Sequence, residues 1–276
     1  MNKEKLLAIL LLIPFFIMGC LELPSAATST QPIASASSSE AGVPPIETNT
    51  PASNWEAGFA EPILSAMKDR PPDYQDDFNN SSSGWTIADN VDYLDGKVGY
   101  KDGEYFVVAD PITDPAEASH LCAWGIDDNG IRYADFLAEF DVKFLSGKGG
   151  NWDFQFHRTH DKANNIETKY AAGGNYQGGV FFHKCNSNLG TDCPVLKEIS
   201  DGPLILGTDW VHIQVMARGA KMALYVDGKP VLYVEDPNYT EAYNQGEFIF
   251  ALCNFANLPM EVRWDNLRVW DITSLP

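Results

Sequence analysis

Alternation of apolar and polar residues is the feature that most constrains the fold of this chain of 276 residues. Over residues 136–144, apolar side chains recur at every second position. That is the period of a β-strand with one buried face. Similar runs occupy residues 152–158, 211–215 and 248–252, and no long segment of the sequence shows the 3.6-residue period of a helix.

Turn residues separate these strand-like runs. Asp227-Gly228 lies between runs at residues 222–226 and 231–234, and this dipeptide is a strong hairpin signal. Residues 101–104 join another pair of runs in the same way. About a dozen short strands separated by Gly, Asn and Asp turns predict an all-β protein, built as an antiparallel β-sandwich.

The last predicted strand contains an irregularity. Val262 and Trp264 have one parity, whereas Leu267 and Val269 have the other. The shift falls at Asp265-Asn266. A β-bulge there explains the pattern, and so does a strand that is buried on both faces.

The N-terminus has the layout of a secretory signal. Lys3 and Lys5 precede an apolar run over residues 6–17, and Gly19 precedes Cys20. The run is too short for a transmembrane helix, which needs roughly 20 apolar residues. The segment resembles the lipobox of bacterial lipoproteins, whose cysteine is acylated. We therefore expect residues 1–19 to be a signal peptide and Cys20 to anchor the protein to a membrane outside the cytoplasm, with a plain cleaved signal as the alternative.

Three further segments follow the signal. Residues 20–60 are rich in Ala, Ser, Thr and Pro, which predicts a flexible linker. Residues 61–73 contain a short helical pattern that ends before Pro71-Pro72, and we expect a helix or spacer there. Residues 74–273 form the predicted sandwich domain.

Charge excludes one class of partner. The chain has 19 Lys and Arg against 38 Asp and Glu, a formal charge of −19. A nucleic-acid-binding protein needs a basic face, so nucleic acid is not expected as a partner. The same charge disfavours docking on anionic lipid. The carboxylates suit a structural Ca²⁺ ion, although solubility alone also accounts for an acidic surface.

Four cysteines remain after Cys20, an even number for an oxidising compartment. Cys185 and Cys193 flank an Asn- and Gly-rich loop, and we predict that they form a disulfide across it. Cys122 and Cys253 are then left as a long-range disulfide between strands. A zinc site is the competing interpretation, but the spacings match no common four-cysteine pattern.

The order of these elements resembles the concanavalin A-like lectin and glucanase jelly roll, which includes laminin-G-like domains. Four stretches between residues 74 and 271 carry the resemblance: Asp76-Asp77-Phe78 with Gly84-Trp85, residues 133–140, residues 210–215 with 224–229, and residues 262–269. Residues 149–158 resemble a strand of the branch described as 3-keto-disaccharide hydrolase. The resemblance implies a jelly roll that acts on or binds carbohydrate.

Catalytic patterns are weak in this sequence. The Glu-x-Asp-x-x-Glu strand of laminarinase-type enzymes is absent, and Glu139-Phe140-Asp141 supplies only its first two positions. Asp141 and Glu167 remain as candidate catalytic carboxylates. His157 and His160, with Asp161 beside them, suit a metal site or a general base, or are polar residues at a strand end.

Ligand binding has better candidates. Trp152 and Arg158 have the same strand parity, and Glu167 and Lys169 fall on the next predicted strand. An indole ring can stack on a sugar, while the charged groups hydrogen-bond its hydroxyls. We predict that these four residues line a carbohydrate site. The alternative for Trp152 is a place in the core with Phe154 and Phe156.

Aspartates near the two ends of the domain suggest a metal site. The first and last strands of a jelly roll usually pair, so Asp76, Asp77 and Asp265 are predicted to meet and to hold the Ca²⁺ ion. Turn and capping roles are the alternative for these residues.

Three functions follow from these features. The first is a non-catalytic surface lipoprotein that binds carbohydrate or another envelope ligand. The second is a glycoside-cleaving enzyme of the 3-keto-disaccharide hydrolase or glucanase type. The third is a protein-interaction or structural module of the cell envelope.

Overall fold

The computed structural model describes residues 55–90, 94–114, 121–161, 166–188, 193–200, 202, 207–240 and 245–276. These residues belong to one compact unit, Pro51–Pro276. The predicted signal peptide, Cys20 and most of the predicted linker lie outside the described residues. No helix in the described part of the chain is long and apolar enough to cross a membrane.

Two short helical segments precede fifteen strands within the described ranges. The helical segments are a π-helical turn, Glu56–Ala60, and helix α1, Glu61–Met67. The strands are β1 Tyr74–Asp76, β2 Ala88–Asp89, β3 Gly96–Lys101, β4 Glu104–Ala109, β5 Leu121–Ile126, β6 Phe136–Ser146, β7 Gly150–Asp161, β8 Ile166–Asn175, β9 Val180–Asn188, β10 Val195–Ile199, β11 Val211–Arg218, β12 Lys221–Val226, β13 Lys229–Glu235, β14 Glu247–Asn254 and β15 Met260–Asp271.

The strands form two antiparallel sheets, which confirms the predicted all-β sandwich. The nine-stranded sheet has the order β13-β12-β11-β6-β15-β4-β3-β2, and β1 pairs with β15. The six-stranded sheet has the order β10-β9-β8-β7-β14-β5. The first and last strands therefore pair, as the sequence predicted, and the predicted hairpin at Asp227-Gly228 joins β12 to β13.

The core lies between the sheets and is rich in aromatic rings. Phe140 of β6 lies 5.1 Å from Phe154 of β7, and Phe154 lies 5.5 Å from Phe248 of β14, measured between ring centroids. Trp264 of β15 stacks on Phe250 at 5.0 Å. These side chains are fully or almost fully buried, because each strand turns every second residue towards the opposite sheet.

A β-bulge interrupts β15 where the sequence pattern changes parity. The pairing of β15 with β6 shifts between Asp265 and Arg268, and Asn266 has a φ of 54°. One extra residue is accommodated there, so Leu267 and Val269 return to the core. Of the two explanations left by the sequence, the bulge is the one observed.

Both predicted disulfides are present. Cys122 of β5 and Cys253 of β14 stand directly opposite each other, with their Cα atoms 4.1 Å apart. Cys185 and Cys193 close the short loop after β9 at the same Cα separation of 4.1 Å. Two disulfides indicate an oxidising compartment outside the cytoplasm.

The helical segment packs on the outer face of the nine-stranded sheet. Phe59, Ile63 and Met67 are buried there in a second apolar cluster, together with Trp270 of β15. Trp55 stacks on Tyr233 of β13, with ring centroids 5.2 Å apart. Residues 55–60 of the predicted linker and the predicted spacer helix thus contribute to the folded unit.

Candidate functional site

The outer face of the six-stranded sheet carries the most unusual chemistry in the described chain. Along β7, Trp152, Phe154 and Phe156 point into the core, so Asp153 and Gln155 point outward. Asp153 stands opposite Gly173 of β8 and Ala251 of β14. The residues on both sides of Asp153 are therefore glycine and alanine. Its carboxylate lies near the centre of the face with no large side chain directly beside it on the adjacent strands.

Aromatic and imidazole rings flank this carboxylate. Phe181 of β9 pairs with Gly173, and its ring stacks on His183 with centroids 4.3 Å apart. A Cβ atom on Gly173 would lie 2.6 Å from Asp153 Oδ1 and 2.6 Å from the Phe181 ring. Glycine is needed at this position, because the carboxylate and the phenyl ring both lie against its backbone.

The carboxylate of Asp153 makes fewer hydrogen bonds than its two oxygens can accept. Its Oδ1 atom is closed to solvent and has no hydrogen-bond partner among the described residues. Burial raises the pKa of Asp153 to about 6, although the charge of Lys169 and a hydrogen bond from Gln155 act in the opposite direction. The carboxyl group can therefore accept or donate a hydrogen bond to a ligand at mildly acidic pH.

His183 is neutral under the same conditions. Burial and, to a smaller extent, the nearby charge of Lys169 together lower the pKa of its imidazole to about 4. A neutral imidazole has one donor and one acceptor nitrogen, which suits a hydroxyl group. Asp153, Gln155 and His183 thus provide both kinds of hydrogen-bonding group on neighbouring strands.

A chain of ion pairs lies towards one end of this face. Arg158 donates to Glu167 of β8 at 2.6 Å and to Glu247 of β14 at 2.8 Å. Lys169 lies 3.2 Å from the same Glu167 oxygen. Burial of Glu167 raises its pKa, but Lys169 and Arg158 outweigh that effect and the net shift is downward. The structure therefore brings together three of the four residues predicted to bind a ligand.

The fourth, Trp152, requires a correction. Its side chain is 0% exposed, and it packs edge-on against Phe140 with ring centroids 6.0 Å apart. The pairing of β7 with β8 shifts between Phe156 and Thr159, where His157 has a φ of 53°. This bulge adds one residue, so Trp152 and Arg158 point to opposite sides despite their equal parity in the sequence.

His157 lies in that bulge and is buried rather than placed at the surface. Its ring packs edge-on against Phe136 and Phe156, at centroid distances of 5.7 and 5.2 Å. Burial lowers the pKa of His157 to about 4. The side chains of His160 and Asp161 are outside the described part of the structure. The predicted histidine cluster can therefore be compared with the structure only at His157.

The two candidate catalytic carboxylates are separated. Asp141 lies on the outer face of the nine-stranded sheet, where it bonds His212 Nδ1 at 2.8 Å and Asn266 Nδ2 at 2.9 Å. Glu167 lies on the outer face of the other sheet. Both layers of the sandwich stand between them, which amounts to more than about 10 Å. Asp141 and Glu167, the two candidates, therefore do not form one catalytic pair.

Asp153 also lacks a catalytic partner among the described residues. Glu167 is six residues along β8 from Gly173, its register neighbour, which corresponds to about 20 Å. Glu247 is four residues along β14 from Ala251, or about 13 Å. A retaining glycosidase needs two carboxyl groups about 5 Å apart, and an inverting one about 6.5–9.5 Å.

The predicted calcium site is not assembled. Asp76 Oδ1 accepts a hydrogen bond from the Phe78 amide at 2.8 Å, and Asp77 Oδ1 accepts one from the Asn79 amide at 3.2 Å. Asp265 accepts from the Asn266 amide at 2.7 Å. Within the described residues no group of three His, Cys, Asp or Glu side chains converges on a metal position. These aspartates stabilise turns, which was the alternative left open.

Solved structures identify the fold. A β-glucanase of Bacillus licheniformis is 16% identical over 71% of this chain and 97% of its own, with a TM-score of 0.50. A β-1,3-1,4-glucanase (lichenase) derived from a mouse hindgut metagenome is 14% identical over 72% and 99%, with a TM-score of 0.52. The fold is the concanavalin A-like jelly roll.

A third jelly roll shows how little the fold says about activity. A protein of unknown function with a galectin-like fold from Bacillus subtilis is 10% identical over 73% of this chain and 96% of its own, with a TM-score of 0.54. No protein-family model matches the chain, and no functionally curated protein does either. The function of this jelly roll must therefore be argued from its own residues.

Three site residues of the jelly roll escaped the sequence analysis: Asp153, Gln155 and His183. The alternation of β7 already places Asp153 and Gln155 opposite the core. Trp152 of β7 was predicted as the candidate instead, because the aromatic residues give the stronger pattern in that strand. His183 carries no comparable signal, because its neighbours are known only once β8 and β9 are in register.

Proposed function

We propose that this jelly roll binds carbohydrate on the outer face of its six-stranded sheet, without cleaving it. The observation that carries the proposal is Asp153, a partly buried carboxylate with one buried, unpaired oxygen, which lies near Gln155 and His183. A sugar hydroxyl would satisfy that oxygen after a rotation of the Asp153 side chain, because Oδ1 is closed to solvent in this conformation. Buried polar groups are normally paired, so an unpaired one in a cluster of donors and acceptors favours a ligand site.

The surrounding groups suit a sugar ring. Phe181 and His183 form a stacked pair beside the carboxylate, and Trp124 of β5 lies on the far side of Ala251 in the same row. Aromatic rings pack against the apolar faces of sugars, while a few convergent polar groups fix the orientation of the hydroxyls. Solved jelly rolls of this shape include proteins named as glucanases, which supports carbohydrate as the ligand class.

Spacing favours binding over hydrolysis. On this face, Glu247, Glu198 and Glu167 lie about 13, 14 and 20 Å from Asp153, whereas glycosidases require a pair within about 10 Å. Arg158, Glu167 and Lys169 form ion pairs with one another, and we assign them a supporting role at the edge of the site.

The test is a binding measurement with matched variants. Soluble protein is screened on a glycan array, and the best ligand is titrated by calorimetry. Asp153→Ala should weaken binding about 100-fold, because a buried hydrogen bond to a carboxylate is lost at the centre of the site. The control is Glu139→Gln, which alters a carboxylate on the other sheet and should leave the affinity unchanged. Equal affinity of wild type and Asp153→Ala would contradict the proposal.

Hydrolysis remains the second candidate, because the raised pKa of Asp153, about 6, is typical of a general acid. Release of reducing ends from β-glucan or keto-sugar substrates, lost in Asp153→Asn, would favour the enzyme over the binding protein. Binding without release of reducing ends would favour the module proposed above.

We also propose that the protein is a lipoprotein that holds this module at a membrane surface outside the cytoplasm. The support is the sequence from Lys3 to Cys20, together with the two disulfides. Mass spectrometry of the N-terminal peptide should show an acylated Cys20, and Cys20→Ser should release the protein from the membrane. An unmodified Cys20 would contradict the anchor without affecting the sugar site.

A further inference from the structure

One end of the sandwich exposes an unusual set of large apolar side chains. Six such side chains are exposed within the described chain, and four of them lie at this end. The four are Leu145 (40% exposed), Trp210 (39%), Phe255 (49%) and Leu258 (64%). Leu145 lies at the end of β6, Trp210 directly precedes β11, and Phe255 and Leu258 lie on the loop that joins β14 to β15; we call these four residues the apolar end. Clustered exposure of this kind marks an interaction surface.

A cavity of about 510 Å³ lies between these loops. Leu145, Tyr176 and Leu258 contribute to its wall, and Lys148 is the charged residue there. The wall contains no carboxylate among its described residues, although the chain as a whole has a formal charge of −19. The wall of this cavity therefore adds no electrostatic repulsion from a membrane surface, although Asp209 stands next to Trp210 at the same end.

The loop that carries Phe255 and Leu258 is held rigidly. Asn254 is fully buried, and its Nδ2 atom donates to the carbonyl oxygens of Asp110 at 2.9 Å and Leu258 at 2.7 Å. Its Oδ1 atom accepts from the Ala256 amide at 2.9 Å. The apolar side chains are thus presented in a fixed arrangement, which lowers the entropy lost on binding.

We propose that the apolar end docks on a lipid bilayer. Leu145, Phe255 and Leu258 enter the interface between headgroups and acyl chains. Trp210 and Lys148 lie at the level of the headgroups, where tryptophan and lysine are favoured. Lys143 supports this placement of Trp210, since its ammonium group lies 4.0 Å from the centre of the indole ring.

A lipid surface is the occupant because the N-terminus would hold the domain beside one. If Cys20 is acylated as proposed, residues 21–54 connect the membrane to Trp55. If that segment is the linker that its composition predicts, its root-mean-square span is about 30 Å. The domain then samples the bilayer continually, and modest apolar insertion orients it. The inference rests on the proposed anchor and not on sugar binding.

The test uses the chain from residue 20 onward, with Cys20→Ser so that no acyl chain contributes. Its partition onto phosphatidylcholine vesicles is measured by sedimentation. Leu258→Ser and Leu145→Ser should each lower the partition coefficient about tenfold, because each removes an apolar side chain from the interface. Ile87→Ser is the matched control, since Ile87 is 66% exposed away from the apolar end, and it should have no effect.

Three outcomes would overturn the proposal: no partition of the parent chain, an equal loss in Ile87→Ser, or self-association through the apolar end without vesicle binding. Thermal unfolding of each variant shows whether the fold is retained, and two independent leucine variants guard against a local defect. Asp153→Ala should partition like the parent chain. That result would separate membrane docking from the sugar site, so that either proposal can fail alone.

Discussion

The outer faces of the two sheets differ in how completely their carboxylates are paired. On the nine-stranded sheet, the two outward carboxylates of β6 are paired within the sheet. Glu139 accepts from Gln214 at 2.7 Å and lies 3.2 Å from Arg268, and Asp141 bonds His212 at 2.8 Å. On the six-stranded sheet, Glu167 is equally well paired, but Asp153 retains an oxygen without a partner.

We interpret this difference as one between charges that stabilise the fold and a charge that we propose to bind a ligand. On the nine-stranded sheet, pairing favours the ionised form of Asp141, whose pKa is lowered, whereas burial and the charge of Asp141 raise the pKa of Asp265. Burial without sufficient pairing has the opposite effect on Asp153, whose pKa rises to about 6. An arrangement that reduces stability persists when it serves binding or catalysis. Stability and binding measurements on matched variants of the two faces test this interpretation.

The largest expected effect concerns the cover on the nine-stranded sheet. Phe59 is 8% exposed and packs with Ile63 and Met67 on that sheet. Phe59→Ala should lower the free energy of unfolding by about 3–5 kcal/mol, as for other buried phenylalanines. Denaturant unfolding measures it, with Ile87→Ala as an exposed control expected within about 0.5 kcal/mol of wild type. A similarly small loss in Phe59→Ala would mean that residues 55–67 are not part of the core.

Asp153→Asn should instead stabilise the protein at neutral pH. The pKa of the carboxyl group is about 6 in the folded protein against an ordinary value of 3.8. Between these values the folded state binds more protons than the unfolded state, so stability falls as pH rises from about 4 to 6. Removing the charge should recover up to about 3 kcal/mol at pH 7 and nothing below about pH 4.

The difference between variant and wild type must be measured across pH, by denaturant unfolding. His157 and His183 have pKa values lowered to about 4, and their contribution to stability rises with pH over the same range. Subtraction of the two curves isolates Asp153. Glu139→Gln is the control on the other sheet, where loss of a paired carboxylate should not stabilise. If Asp153→Asn instead destabilised the protein at pH 7, it would be wrong that the charge of Asp153 lowers stability while paired carboxylates on the other sheet do not.

The fold was accessible from the sequence because its signals are local. Alternation over residues 136–144 defines β6, and Asp227-Gly228 defines a hairpin. The parity change at Asp265-Asn266 marks a bulge that the structure contains. The disulfide between Cys185 and Cys193 follows from a short loop in the same way.

The candidate site was only partly accessible, because it depends on register and on a second bulge. Nothing in the sequence around His157 shows that β7 gains an extra residue there, so Trp152 was placed on the wrong side. Asp153 Oδ1 is left unpaired because Gly173 and Phe181 lie beside it in the same row of the sheet. The alignment of that row is set by the pairing of β7, β8 and β9. The aspartate can be read from the alternation of β7, but its environment cannot.

The smallest expected effect concerns Asp141 and His212 on the nine-stranded sheet. A hydrogen bond donated to Asp141 raises the pKa of His212, so the contribution of the histidine is present below about pH 6.5 and is lost as pH rises through its folded pKa. Burial alone would raise the pKa of Asp141, but His212 and Asn266 lower it, so its contribution is lost as pH falls below about 4.

The pair should therefore stabilise the protein mainly between about pH 4 and 6.5. Asp141→Asn should lower the free energy of unfolding by no more than about 1 kcal/mol at pH 5.5, since both side chains are partly exposed, and by less at pH 8. Denaturant unfolding at the two pH values measures the change, and an equal loss at both would show that the ion pair contributes nothing. Glycan affinity should stay at the wild-type value, because a paired charge on the nine-stranded sheet supports the fold and does not contact the ligand.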